Sequence, residues 1–275
     1  MTRPERLDRD IERALVEQDL QLTKDGVLVC LHDTTLERTT NVEEQFPDLM
    51  IEIGDRGRTR QIWRVSDLTL AQIKELDAGS WFSEAFSGAQ VPTLQEAIDL
   101  VRGHAGIYPE TKTPEEYNEL GFKMEEELVR VLAANGLDTP AGQAVTPVFV
   151  QSFSPDSLRR MRALTADTYS LVQLVGPAQA ETLMSDRGLV GVGDYAAGVG
   201  PALPILLADP TRALAARRIG LQVHPYTVSA RRVPERFPDA TTYMSYLFDD
   251  LGATGVFTDN PDLFPQGVHR DAVAH

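Results

Sequence analysis

Apolar and polar residues alternate along the segment from Val16 to Leu22, and this period of two predicts a β-strand. The alternation places the even-numbered residues on one face of the strand. The odd-numbered residues, Glu17 and Asp19 among them, lie on the other face. Two carboxylates are therefore expected to project from the same face of one strand.

A tight turn is predicted directly after this strand, in Lys24-Asp25-Gly26-Val27, because Asp-Gly provides the positive φ angles of a two-residue type I′ turn. With Asp25 and Gly26 as the turn residues, His32 on the return strand faces Asp19. Cross-strand neighbours share a face, so the histidine is expected to converge with the two carboxylates. A turn centred one residue earlier would reverse the faces of the return strand and fits its apolar residues less well.

The rest of the chain alternates apolar strand patterns with amphipathic helix patterns. Further strands are predicted at 105–112, 148–153, 169–175, 198–203, 220–226 and 255–258. Helices are predicted at 69–76, 93–101, 114–135, 156–164, 179–186, 209–219 and 241–251. This alternation predicts an α/β fold with parallel strands and right-handed crossovers.

A chain of 275 residues fits a single (β/α)8 TIM barrel over residues 1–275. The pattern provides seven parallel strands where the barrel needs eight. Nothing before Ala14 has a strand pattern, so the first strand and part of the first helix are expected to be missing. Residues 43–66 are polar and aperiodic and are predicted to form a long loop or insertion over one end of the fold.

The charge excludes two classes of partner. The chain has 26 Lys and Arg against 41 Asp and Glu, a formal net charge of −15, and its basic residues form no stripe. Nucleic acid and anionic membranes are therefore not expected as partners, and the expected partner is a small molecule. No apolar run is long enough for membrane insertion, and the N-terminus lacks the apolar core of a signal peptide, which indicates a cytoplasmic protein for the sequence as given. The oligomeric state cannot be predicted from these features.

Chemistry in a barrel lies at the C-terminal ends of its strands, where several polar residues occur in this chain. Glu110 and Lys112 share a face at the end of one strand. Glu110 can complete a three-carboxylate oxygen site with Glu17 and Asp19, the ligand type that Mg²⁺ or Ca²⁺ prefers. Lys112 can hold an anionic oxygen of a substrate, and a plain salt bridge is the alternative.

Gln151 and Tyr226 also stand at predicted strand ends. Both are candidates for substrate binding, with packing or turn roles as the alternative. His224 shares a face with Tyr226, but a single histidine near a strand end is more typical of a structural group than of a catalyst.

Seven segments of the chain form a series of motifs, which are, in chain order, VEQDLQLTKDGVLVCLHDTTLERTTN, IYPETK, QSFSPDSL, LVQLV, GVGP, LQVHPYTV and GVFTDNPD. Through these motifs the sequence resembles the glycerophosphodiester phosphodiesterase family over about Leu15 to Asp262, and four of the motifs resemble the bacterial periplasmic-type branch in particular. The resemblance implies a TIM barrel that hydrolyses glycerophosphodiesters to sn-glycerol 3-phosphate and an alcohol with one Ca²⁺ or Mg²⁺. It further implies that the metal ligands are Glu17, Asp19 and Glu110, that His32 is one of two catalytic histidines, and that Lys112 contacts phosphate.

One departure from the family pattern changes the expected activity. Members of the family begin with a strand that ends in His-Arg-Gly, and this tripeptide does not occur in the chain. Either the given sequence lacks an N-terminal segment, or the protein is a degraded paralogue. In the first case a periplasmic or secreted location is also open. We expect slow turnover, and exposed apolar surface on the strands around Val16 and Gly255. A non-catalytic phosphodiester-binding module is the alternative, and a sugar isomerase has less support because too few ligands are available.

Overall fold

A computed structural model describes residues 14–55 and 57–266. The chain divides into two compact units, one ending at Val150 and the other beginning at Gln151. The expectation of a missing first strand concerns residues before Ala14, which lie outside the described ranges. None of the described helices is both long and apolar enough to cross a membrane.

The first unit contains a strand pair, a hairpin and a parallel strand, with short helices between them. Its strands are β1 (Leu15–Leu22), β2 (Leu28–Cys30), β3 (Ile51–Asp55), β4 (Arg58–Ile62) and β5 (Gly106–Thr111). Its helices are α1 (Val42–Gln45), α2 (Leu70–Ile73), α3 (Leu94–Val101), α4 (Pro114–Glu119), α5 (Met124–Ala134) and α6 (Pro140–Val145). Strand β6 (Phe149–Ser152) leads from this unit into the next.

Strand β1 lies between two partners. It pairs in parallel with β5, from Leu15 opposite Gly106 to Leu20 opposite Thr111, and antiparallel with β2 at its C-terminal end. All of β5 is buried, as expected for a central parallel strand. Helix α3 begins with a capping box, in which the Thr93 and Glu96 side chains each accept from the other residue's backbone N–H.

The segment 43–66 differs from the predicted loop. It contains the antiparallel hairpin of β3 and β4 and packs through Trp63, which is only 5% exposed and donates from Nε1 to the Phe46 carbonyl at 2.8 Å. The hairpin was not predicted because its polar residues give no alternating pattern. The buried core beneath this segment consists of Val29, Leu36, Val42, Trp63, Val65, Leu68, Ile73, Leu76 and Val91.

The prediction of one continuous helix over 114–135 is wrong, because α4 ends at Glu119 and α5 begins only at Met124. Gly121, with φ +87°, lies in the break, where its N–H donates to the Asn118 carbonyl. A left-handed glycine ends a helix readily. Gly136, with φ +68°, follows the end of α5.

The second unit repeats the strand and helix alternation. Its strands after β6 are β7 (Ser170–Val175), β8 (Gly198–Pro201) and β9 (Gln222–Val223). Its helices are α7 (Pro155–Thr165), α8 (Ala180–Leu183), α9 (Asp186–Gly193), α10 (Leu203–Ala208), α11 (Thr211–Arg218) and α12 (Ala240–Asp249). β7, β8 and β9 pair in parallel, and the predicted strand at 255–258 is reduced to one bridge between Val228 and Thr258.

Val16 in β1 is 42% exposed. Whether a missing strand accounts for this exposure stays a prediction, because the residues before Ala14 lie outside the described ranges. Val16 lines a groove of about 520 Å³ together with Cys30 of β2 and Leu100 of α3, which is itself 80% exposed.

Candidate active site

Three carboxylates meet on two neighbouring parallel strands. Glu17 and Asp19 project from β1, and Glu110 projects from β5, where it lies directly opposite Asp19. One carboxylate oxygen from each residue lies within 4.8 Å of the others. The predicted sharing of a face by the odd-numbered residues of β1 therefore brings these side chains together.

The surroundings of these carboxyl groups disfavour their negatively charged form. Glu110 is buried, with 5% of its surface exposed, and burial raises its pKa, with the Asp19 carboxylate adding to the effect and Lys112 opposing it. Glu17 as a whole residue is exposed, but its carboxylate is largely desolvated, and this raises its pKa as well. Repulsion from the Asp19 and Glu110 carboxylates adds to the effect. Like charges held this close favour either protonation or a cation between them.

Lys112 provides one such cation. Its Nζ donates to Asp19 Oδ1 at 3.1 Å and lies 3.7 Å from Glu110 Oε1, and its side chain is only 14% exposed. This is the salt bridge that the sequence left open as an alternative. One ammonium faces three carboxylates, so an oxygen-ligated divalent cation fits the same donor set.

The backbone turns sharply after this lysine. Thr113 has φ +41°, a left-handed conformation that β-branched residues rarely adopt, and Pro114 then begins α4. β5 therefore ends at Thr111, and Lys112 lies between the strand and this turn.

The turn between β1 and β2 differs from the predicted one. It is centred on Lys24 and Asp25, with the Gly26 N–H donating to the Thr23 carbonyl at 2.9 Å, and Gly26 itself is left-handed at φ +78°. The Asp25 carboxylate accepts from the Leu70 N–H at 2.9 Å, a contact 45 residues away in sequence. The extra residue shifts the register by one.

The predicted pairing of His32 with Asp19 is therefore wrong. The observed register pairs Leu20 with Cys30 and Gln21 with Val29, and Asp19 accepts through its backbone carbonyl from the Leu31 N–H. β2 ends at Cys30, and His32 lies in the irregular segment that follows.

His32 is instead held by its neighbour. Its Nδ1 donates to Asp33 Oδ1 at 2.7 Å, and the Asp33 carboxylate also accepts from Nε and Nη2 of Arg38. The hydrogen bonds from Arg38, with that from His32 adding, hold the pKa of Asp33 down at about 2, so Asp33 is a permanent acceptor. Because a carboxylate fixes the proton on Nδ1, Nε2 on the other side of the ring is the nitrogen that can exchange protons.

Sequence reasoning missed Asp33 and Arg38. The signal for them is the run His-Asp followed by Arg in HDTTLER, a histidine with an acceptor next to it and a cation shortly after. That signal is local and weak, since short polar segments of this kind are common in loops.

The two predicted substrate-binding residues, Gln151 and Tyr226, lie in the second unit. Gln151 in β6 is 2% exposed. Tyr226 is half-buried, donates its hydroxyl to the Val175 carbonyl at 3.3 Å, and packs edge-to-face on Phe153. Their roles in binding stay predictions. His224 is buried, and burial lowers its pKa to about 4, in keeping with the structural role predicted for it.

Comparison with known proteins identifies the family. The model described as the glycerophosphoryl diester phosphodiesterase family matches residues 13–263. A glycerophosphodiester phosphodiesterase of Bacillus subtilis is 38% identical over 260 residues, covering 90% of this chain and 74% of the relative. One of Haemophilus influenzae is 29% identical over 301 residues, covering 90% and 79%.

Solved structures show the fold. A phosphodiesterase from Oleispira antarctica, in complex with the product sn-glycerol-3-phosphate, matches with a TM-score of 0.67 at 22% identity, covering 90% of this chain and 82% of that one. A glycerophosphodiester phosphodiesterase from Agrobacterium tumefaciens matches with a TM-score of 0.61 at 23% identity, covering 94% and 89%. The likeness confirms the predicted α/β class with the TIM-barrel fold. This chain belongs to the glycerophosphoryl diester phosphodiesterase family.

Proposed function

We propose that this protein hydrolyses glycerophosphodiesters to sn-glycerol 3-phosphate and an alcohol, in a reaction that requires one Ca²⁺ or Mg²⁺. The observation that carries the proposal is the cluster of Glu17, Asp19 and Glu110 on adjacent strands, with oxygens within 4.8 Å of one another. The names of the relatives support the reaction, and the Oleispira antarctica complex supports the product.

In this proposal Glu17, Asp19 and Glu110 hold the cation. When bound, it supplies charge neutralisation for the phosphodiester and polarises one of its non-bridging oxygens. Lys112, whose ammonium already lies among the carboxylates, donates to another phosphate oxygen and adds electrostatic stabilisation. Gln151 and Tyr226 remain the predicted substrate contacts of the second unit.

His32 is the proposed acid or base. The reaction breaks the bond between phosphorus and the alcohol oxygen, and this oxygen must receive a proton as it leaves. The nucleophile, either water or the glycerol hydroxyl of the substrate, must lose one. Asp33 fixes the proton on Nδ1 of His32, so that Nε2 exchanges protons with the substrate.

The chain as given contains no His-Arg-Gly tripeptide to provide a second histidine. Loss of one acid or base partner typically costs about 10² to 10⁴ in rate. We therefore expect measurable but slow turnover from this sequence. The second candidate function, a phosphodiester-binding protein without turnover, rests on the same observation.

The test is direct. Purified protein is incubated with glycerophosphocholine and Ca²⁺ or Mg²⁺, and glycerol 3-phosphate is measured. We expect product that disappears with EDTA and in His32→Ala. Product that survives both changes would overturn the assignment. Thermal stabilisation by glycerophosphocholine without any product would favour the binding protein.

A further inference from the structure

Three aromatic side chains project into solvent from one loop of the first unit. Trp81, Phe82 and Phe86 are 54%, 63% and 53% exposed, and we call them the aromatic triad. Trp81 and Phe82 have ring centroids 5.8 Å apart at 76°, and Phe82 and Phe86 are 5.9 Å apart at 48°. Neighbouring rings of the triad are therefore set at an angle to each other. A monomer gains no stability from exposing three such rings together.

The loop is built to hold these rings in place. The Asp77 carboxylate accepts from the Gly79 and Ser80 N–H groups at 2.8 and 3.0 Å and from the Ser80 hydroxyl, and these donors keep its pKa well below the usual range. Trp81 Nε1 donates to the Ala78 carbonyl at 2.9 Å, which fixes the indole. A Cβ at Gly79 would lie 1.9 Å from the Phe86 carbonyl oxygen, so only glycine permits this closure.

Contacts connect the triad to the proposed acid or base. The Arg38 guanidinium lies 5.8 Å from the centroid of the Trp81 ring and is paired with Asp33, which accepts from His32. At the base of the loop the Asp77 N–H donates to the Asn41 side chain at 2.8 Å, which ties the loop to the segment that follows His32. The side chains of His32 and Arg38 are 66% and 53% exposed, so this line of contacts is open to a ligand.

The stretch of chain that carries the triad is acidic. Between Glu75 and Val101 the chain has five carboxylates and no lysine or arginine. One face of Trp81 already receives a cation, the Arg38 guanidinium. Aromatic faces set at an angle to one another bind quaternary ammonium groups, because the negative face of each ring attracts the positive charge.

From these observations we infer that the aromatic triad is a subsite for the alcohol portion of the substrate and that it selects alcohols carrying a quaternary ammonium group, as in choline. The inference rests on the proposed function, since it places the departing alcohol on the side of His32. It also predicts binding of a free quaternary ammonium ion, which does not depend on turnover.

The first experiment measures binding. Choline is titrated into the full chain and the fluorescence of Trp81 is followed, with Trp81→Phe as the control, because the other tryptophan, Trp63, is buried. The neutral isostere 3,3-dimethylbutanol is titrated in parallel. We expect a saturable change with choline, a much weaker one with the isostere, and none in Trp81→Phe. Equal responses to both alcohols would overturn the inference, as would a response to phosphatidylcholine vesicles but not to free choline.

The second experiment measures selectivity. The ratio of kcat/KM for glycerophosphocholine to kcat/KM for the 3,3-dimethylbutyl diester is compared between the parent and Phe82→Leu. We expect the ratio to fall by about two- to fivefold for each ring removed, and Phe82→Tyr to restore it. Val190→Ala removes an apolar side chain that is 60% exposed in the second unit and serves as the control.

The outcomes separate the two proposals. Hydrolysis of both diesters with an unchanged ratio in Phe82→Leu would refute the subsite and leave the proposed function intact. A choline response through Trp81 in a protein that hydrolyses neither diester would support the subsite and refute the proposed function.

Discussion

The carboxylate cluster and the His32 segment lie in the same unit but are held in opposite ways. Glu110 and Asp19 are fixed by the pairing of β1 with β5, and their side chains are only 6% and 18% exposed. His32 and Arg38 lie beyond the end of β2, are 66% and 53% exposed, and are held by hydrogen bonds to Asp33. A substitution of one carboxylate in the cluster is therefore expected to change the charge of the site and leave the other carboxylates in place. A substitution beside His32 is expected to change the orientation of the His32 ring.

The largest expected effect is that of Glu110→Gln. The amide keeps the shape of the side chain but removes one negative charge, so we expect kcat/KM to fall by about 10²- to 10³-fold. Because burial and Asp19 raise the pKa of Glu110, the metal-free fold must either bury an unfavourable charge or take up a proton there, and the neutral amide removes this cost. The same variant should therefore unfold at a higher temperature than the parent when EDTA is present.

Activity assays and thermal unfolding in EDTA check the two halves of this prediction. Glu52→Gln, in the exposed β3 hairpin, is the control and should change neither quantity. A Glu110→Gln protein that is less stable than the parent without metal would show that this carboxylate has a structural role instead.

Asp33→Asn should have the next largest effect. The amide can no longer fix the proton on Nδ1 of His32, and it accepts only weakly from Arg38. We expect kcat to fall by about 10- to 100-fold, the usual cost of removing a partner that orients an active group, with little change in metal affinity. Steady-state kinetics and metal titration check this.

Asp156→Asn is the matched control, since Asp156 pairs with Arg159 at 2.8 Å on an exposed helix surface. Surface pairs of this kind contribute little to stability. If Asp33→Asn weakened metal binding as strongly as turnover, the carboxylate cluster and the His32 segment would not have the separate roles described above.

The two regions also differ in how far the sequence predicts them. Alternation along β1 and β5 correctly placed Glu17, Asp19 and Glu110 on one face, because strand period and parallel pairing are repeated over many residues. The register of the hairpin was wrong by one residue, because Asp25 accepts from Leu70, a distant contact with no local pattern. The Asp33 and Arg38 bonds are missed for a similar reason: side-chain hydrogen bonds in an irregular segment follow no period.

Removal of metal should reverse the pH dependence of stability. The folded-state pKa values of Glu17 and Glu110 are raised above the ordinary glutamate value of about 4.3, so each stabilises the metal-free fold at low pH. This contribution is lost as the pH rises from that value through the raised ones. The metal-free protein should therefore become less stable over this range.

The stabilisation of the fold by a bound cation should instead increase with pH, because protons compete with the cation for the same oxygens. At about 100 times its Kd the cation should stabilise the fold by about 2.7 kcal/mol at the upper end of the range, and by much less at the lower end. Thermal unfolding at several pH values, with Mg²⁺ or Ca²⁺ and with EDTA, checks both trends. A stabilisation by metal that is independent of pH would contradict a site made of these carboxylates.

The smallest expected effect concerns the turn that sets the register between the two regions. Gly26 has φ +78°, and a Cβ there would have no atom within 4 Å, so Gly26→Ala tests backbone strain alone. We expect a loss of about 1 kcal/mol in the free energy of unfolding, and a smaller loss for Gly26→Asn, because asparagine tolerates the left-handed region. Since His32 is held by Asp33 and not by the turn, kcat/KM of the folded variant should stay within about twofold of the parent. Denaturant unfolding and kinetics on the same preparations check this, and a large loss of kcat/KM with little loss of stability would mean that the hairpin register positions His32 after all.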